Sequence, residues 1–322
     1  MATARIAEGR DFSTQGAAFC KPPRPLLFVE RAETLYGLAA VPEVETRMSA
    51  VTTNGRVLLD IDARGVATLV LNRPEVNNAY DHELITGLLG ALDALERREP
   101  LRAVILKGKG RHFQAGADLT WINAVRQLSA EDNLSASRAT AEAVWRLNHA
   151  RVPTIALVQG GCFGGGTGIV AACDIVIAAN DAMFSIAEVR YGLTAAIIIP
   201  QLVDAIGVRQ LRRYALTGER FDAAQAQRIG LVHEVVAASE LESAGARILG
   251  HLMENGPAAL TDTKAHILAF AWADRDATRF DALIESHAQK RQSAEAAEGL
   301  ASFAQKRAAC WEGLPRAARP QS

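Results

Sequence analysis

Gln159-Gly-Gly-Cys-Phe-Gly-Gly-Gly-Thr-Gly168 is the stretch around which the rest of the chain reads. Before it, Thr154-Ile-Ala-Leu-Val158 has the short apolar run of a buried strand, and after it Ile169-Val-Ala-Ala172 reads as the start of a buried helix. Six glycines in ten residues mark a turn whose backbone comes close to something. Three readings fit such a turn. It is a tight strand-to-helix connection, a phosphate-binding loop, or a loop whose N–H groups meet a developing negative charge. Neither a G-K-[ST] ending nor G-x-G-x-x-G spacing accompanies it, which weakens the second. The glycines alone do not choose; the partner segment is Arg111-His-Phe-Gln-Ala-Gly-Ala-Asp118.

Outward from the loop, strands and helices alternate. Arg56–Asp62 and Val66–Leu71 read as strands joined at Arg64-Gly65, and Asn72–Ala79 as a polar loop. Residues 81–98 carry a helical stripe of Leu84, Ile85, Leu88, Leu89, Leu92 and Leu95, with Asp81 as N-cap. Ala103–Lys107 is a strand, 118–126 and 131–149 are helices, and Asp174–Ala179 is a further strand. Helices are expected near 199–206, 207–216 and 222–229, a last strand over Leu231–Val236, and helix from about Ser239 to Trp311. Alternation to about Val236 predicts an α/β fold with largely parallel strands, followed by a helical block. The expected organisation is a weakly ordered extension over 1–50, a core over 51–236 and a helical region over 237–322. The extension lacks periodicity and a secretory apolar segment, so a chain starting at Met48 is expected to fold.

Composition narrows the function. The formal net charge is −1, from 35 basic and 36 acidic residues, so no strong field draws nucleic acid or an anionic membrane. No apolar run approaches the ~20 residues that span a bilayer. The four cysteines have no C-x-x-C spacing, which fits a reducing cytoplasm, and Cys162 reads as a small core filler. The histidines, among them His112 and His287, show no ligand spacing, so no metal is expected.

Several pieces in order carry a resemblance. Leu71-Asn-Arg-Pro-Glu75 with Asn78-Ala79, Phe113-Gln-Ala-Gly-Ala-Asp118, Gly164-Gly-Gly166, Ala172-Cys-Asp174, Leu216-Thr-Gly218 and Ser302-Phe-Ala-Gln-Lys-Arg307 resemble the enoyl-CoA hydratase/isomerase (crotonase) family over about residues 54–311. The resemblance implies a crotonase-like β-β-α superhelix with a C-terminal helical assembly region, assembled as a trimer or hexamer. It implies an acyl-CoA thioester as substrate, with no separate cofactor because coenzyme A is part of that substrate. By position it gives the enolate-stabilising N–H groups to Ala117 and Gly165, surrounded by Ala79, Ala115, Gly116, Asp118 and Gly164. Asp118 is also expected to cap the helix that follows it. Phe303 and Lys306 match positions that meet coenzyme A across a subunit contact.

Hydratases of the family usually carry two glutamates, and here they fall on Gly168 and Glu188. One carboxylate is therefore missing, and Glu188 becomes the expected acid/base residue, its pKa raised by an apolar pocket. Val158-Gln-Gly160, Phe163–Gly166, Gly168, Ala187–Leu193 and Glu219-Arg-Phe-Asp222 further resemble bacterial 3-methylglutaconyl-CoA hydratases, which also hold Gly at the first position. A related branch acts on isohexenylglutaconyl-CoA. Such substrates carry a second carboxylate, for which Arg190 and Arg138 are the candidates. The expected activity is hydration of a glutaconyl-type 2-enoyl-CoA. The alternatives are a single-Glu isomerase and an inactive CoA-ester binder.

Overall fold

The computed structural model describes residues 51–272 and 277–307. The expected extension and the Met48 start lie outside the described residues. β1 (Val51–Thr53), β2 (Val57–Ile61) and β3 (Val66–Leu71) form an antiparallel meander. β4 (Ala103–Gly108), β5 (Thr154–Val158), β6 (Gly161–Phe163), β7 (Ile175–Ala179), β8 (Met183–Ser185), β9 (Phe221–Asp222) and β10 (Glu234–Val236) follow in the chain. The main sheet has the order β1-β2-β3-β4-β5-β7-β10 and is parallel from β3 onward. A second sheet, β6-β8-β9, stands beside it. Its strands are two or three residues long, too short for an alternating pattern to show in the sequence.

The side-chain period of two sends successive residues of each central strand to opposite faces. Ala156 and Val158 of β5 join one core and Ile155 and Leu157 the other, which is why the run is apolar throughout. α1 (His82–Glu96) and α3 (Ala130–Asn148) supply the first face with Leu84, Leu88, Val144 and Leu147, while α2 (Leu119–Val125) and α4 (Gly165–Ala171) lie toward the glycine loop. Asp81 caps α1, its Oδ1 accepting the Leu84 N–H at 2.9 Å.

α5 (Ile199–Thr217) holds both predicted helices, broken at Gly207 (φ 70°, ψ 157°), and α6 (Ala223–Arg228) follows. Leu231 and Val232 turn back onto Ala226 O, so the last strand starts at Glu234 instead of Leu231. The helical block resolves into α7 (Leu241–Glu254), α8 (Pro257–Trp272), α9 (Ala277–Arg291) and α10 (Ala294–Ala304). α7 covers the second core, and α9 lies on α3, where Asn133 Nδ2 donates to Ala288 O.

The helix after the glycine loop starts at Gly165, four residues earlier than its apolar residues predict. Glycine has low helix propensity, but any side chain here meets a neighbour. A Cβ on Gly166 would lie 2.5 Å from Gln114 Oε1, and one on Gly168 would collide with Ile198. Close packing overrides propensity.

Candidate active site

Two loops, 114–118 and 161–165, are locked side by side. Gln114 N–H donates to Gly161 O at 3.1 Å, and Phe163 N–H to Gln114 O at 2.9 Å. Gly116 and Gly164 allow the approach: a Cβ on Gly116 would sit 3.2 Å from Phe163 O, and one on Gly164 3.7 Å from Gly116 Cα. Tyr80 N–H donates to Gly116 O and Asp118 N–H to Tyr80 O, both at 2.8 Å. In that parallel bridge the intervening residue, Ala117, points its own N–H away from Tyr80. Gly165 is the first residue of α4, where an N–H has no partner within the helix. Neither N–H is hydrogen-bonded among the described residues, so two donors from adjoining loops are left for a ligand.

The loops are braced from behind. Asn78, fully buried, donates through Nδ2 to the carbonyls of Lys109, His112 and Phe113 and accepts the Arg73 N–H at 2.8 Å. Arg73 pairs with Asp81 at 3.2 Å and Asp118 at 2.7 Å, tying together the N-termini of α1 and α2. Burial pushes the Asp118 carboxyl up, but Arg73 and the helix N–H groups outweigh it and hold the group below its ordinary value. His112 Nδ1 accepts the Gly161 N–H at 2.7 Å, so this ring is a structural acceptor.

Glu188 opens a short 3-10 turn, Glu188–Tyr191, after β8. Part of the residue reaches solvent, but Oε2 is buried with no hydrogen-bond partner among the described residues. Oε1 lies 3.0 Å from the Cβ position of Gly164, against the donor loop. Burial raises the carboxyl from 4.5 to about 7, opposed by its own backbone N–H. Around it lies a cavity of about 340 Å³ with apolar walls that include Leu84, Ile85, Val144 and Ile197. Glu188 is the sole carboxylate among the described lining residues; Tyr80, Thr194, His287 and Arg291 are among the other buried or half-buried polar groups there.

A family model described as Enoyl-CoA hydratase/isomerase matches residues 62–314. The chain belongs to this family. A crystal structure of an enoyl-CoA hydratase from Shewanella pealeana is 34% identical with a TM-score of 0.65, covering 80% of this chain and 96% of that one. The hydroxycinnamoyl-CoA hydratase-lyase of Pseudomonas fluorescens is 32% identical, over 62% of this chain and 74% of its own. The peroxisomal Δ(3,5)-Δ(2,4)-dienoyl-CoA isomerase of Arabidopsis thaliana is 31% identical, over 62% and 76%. Hydratases and isomerases thus both stand among the relatives of this enoyl-CoA hydratase/isomerase family member, and its fold is the family's.

Of the residues expected at the site, Ala115, Gly116, Ala117, Gly164, Gly165, Glu188, Arg190 and Phe303 all line the cavity. Phe303 meets Tyr191 edge to face at 5.4 Å between centroids, and Lys306 is exposed beyond the end of α10, away from the lining. Ala79 and Asp118 stand behind the wall, where Ala79 O accepts from Arg73. Two expectations need correcting. Arg138 is on the surface, half exposed and 3.5 Å from Asp281, and it does not line the cavity. Gly168 does not open on the cavity, because Ile198 fills the space in front of it. Gly168→Glu is therefore expected to act as an overpacking change that also buries a charge, lowering Tm by several degrees. Thermal melts check this, and a wild-type Tm would mean that Ile198 yields.

Sequence reasoning missed Tyr80, Thr194, His287 and Arg291. Thr194 Oγ1 is buried and without a partner among the described residues. None of the four belongs to a motif with regular spacing. For Arg291 the one available signal was a helical stripe shared with His287.

Proposed function

We propose that this protein adds water to a 2-enoyl-CoA thioester, with a glutaconyl-type acyl group as the substrate class. Glu188 carries the reading: one carboxyl, its Oε2 buried and its pKa raised to about 7, beside two backbone N–H groups without a partner among the described residues. In this mechanism the thioester oxygen accepts from the N–H groups of Ala117 and Gly165. Fixed donors in a dry site stabilise the enolate far better than water does. The Glu188 carboxylate takes a proton from water as its oxygen bonds to C3, and the π electrons move onto the thioester oxygen. The same proton then returns from Glu188 to C2 as the carbonyl re-forms, leaving a 3-hydroxyacyl thioester. One carboxyl acts as base and then as acid, so the mechanism does not require a glutamate at position 168. Assembly as a trimer or hexamer belongs to the same proposal.

One observation favours a second reading. A single carboxylate among the described lining residues also suffices for an isomerase that moves one proton along a 3-enoyl chain. Incubating the protein with crotonyl-CoA, 3-methylglutaconyl-CoA and a 3-enoyl-CoA, then weighing the products, separates the readings. Hydration adds the mass of water, isomerisation shifts retention without a mass change, and a pure binder returns all three thioesters.

The raised carboxyl also sets the pH profile. As a base, Glu188 works ionised, so log kcat/KM should climb with unit slope below pH about 7 and level off above it. An inflection near the ordinary value of 4.5 would place the base in a solvated setting.

A further inference from the structure

The cavity wall also holds a cation that the chemistry above leaves unused. Arg291, on α9, is 1% exposed, and it lines the cavity together with His287. Its Nη2 donates to Asn133 O at 2.8 Å and to Ser137 Oγ, which anchors the head group to α3. Its Cζ lies 5.7 Å from the Trp121 ring centroid. Nε and Nη1 are buried and have no hydrogen-bond partner among the described residues. No carboxylate among those residues pairs with it; the one side chain found to favour its charge is Tyr80. Burial draws its pKa down to about 10, so it stays a cation at neutral pH.

A sealed guanidinium with unmet N–H donors is costly unless an anion meets it. The groups around it do not provide one. His287 is held neutral, its pKa lowered to about 3 by burial and by Arg291, and its Nδ1 is occupied by Ser137 Oγ at 3.1 Å. The Tyr80 phenol is kept protonated by burial and by Glu188, and it offers an O–H. Tyr80 is within electrostatic reach of both Glu188 and Arg291, and its ring packs on Gly165. It therefore connects the reacting end to the guanidinium. Arg190 and Arg220 also line the cavity, but both are exposed, and water already solvates their charge.

We propose that Arg291 determines specificity by receiving a carboxylate at the far end of the substrate's acyl chain, with the Tyr80 hydroxyl as a second donor. The proposal rests on the hydratase reading for the placement of the thioester beside Glu188. One buried positive charge matches one carboxylate, and the apolar walls between suit the hydrocarbon that separates it from the thioester. The glutaconyl class thus gains a recognition group, in the place for which Arg138 and Arg190 were the sequence candidates.

The test compares glutaconyl-CoA, its terminal amide and crotonyl-CoA by calorimetric binding and by kcat/KM. Wild type should favour the acid over the amide by about 10²-fold, the scale of losing one partner of a buried charge pair. In Arg291→Met the acid-to-amide ratio should fall to near one. Equal affinity of wild type for acid and amide would overturn the proposal, and this comparison needs no variant. A ratio unchanged in Arg291→Met would overturn it too, leaving Arg291 as the anchor of α9 on α3. If none of the thioesters gains water, the hydratase reading fails, while the calorimetric preference for acid over amide still decides the carboxylate site.

Discussion

Glu188→Gln should lower kcat by ~10²–10⁴ on whichever thioester the wild type turns over, with KM changed little. The substitution keeps the shape of the side chain and removes the proton-transferring group. Since Glu188 is the sole carboxylate among the described lining residues, the loss should fall toward the severe end. Binding should survive, because the proposed thioester contacts are backbone N–H groups that the change does not touch.

Stability gives an independent reading of the same variant. The folded pKa of Glu188 lies at about 7, above its ordinary 4.5, so the folded state binds more protons than the unfolded one between these values. The stability this preference contributes is fully present below about pH 4.5 and is lost as pH rises through about 7. Gln is neutral throughout, so Glu188→Gln should gain Tm relative to wild type between pH 5 and 8. Melts across that range check it. Near-normal turnover together with a flat Tm difference would falsify the assignment of Glu188 as the buried acid/base.

The second large effect is expected from Gly164→Ala. Gly164 has φ 51° and ψ −124°, a backbone conformation that costs an L-residue ~1–3 kcal/mol. Its new Cβ would also sit 3.0 Å from Glu188 Oε1, so the carboxylate must give way. Misplacing a reacting group by about 1 Å costs ~10² in rate, and kcat should fall by about that much. Tm should drop by several degrees. Gly250→Ala is the control. It lies in α7 with nothing among the described residues within 4 Å of its Cβ position, so Tm should hold or rise slightly and kcat should not move. A Gly164→Ala enzyme with wild-type kcat would show that the glycine serves only the turn.

Much of this molecule was legible because its signals are local. β3 and β5 have the bounds their apolar runs predict, and Asp81 and Asp118 cap the helices they precede. The two donor loops and Glu188 were legible through ordered motifs whose small residues permit close backbone approach. The break at Gly207 showed as two helical patterns meeting at a glycine. The short strands of the second sheet did not show, because two or three residues cannot display a period.

The sequence by itself determined the α/β alternation, the helical block behind it, the paired glycine loops and the lone glutamate, since periodicity, capping and motif order act over a few residues at a time. Only the tertiary structure decided what surrounds that glutamate. It set Ile198 in front of Gly168, against the expectation that this position faces the substrate. It moved the buried arginine from the sequence candidates to Arg291, which reaches Ser137 across 154 residues of chain. No local pattern encodes such a meeting, because it follows from α9 folding back onto α3, and burial then fixes both the charge state and the unmet donors of the guanidinium.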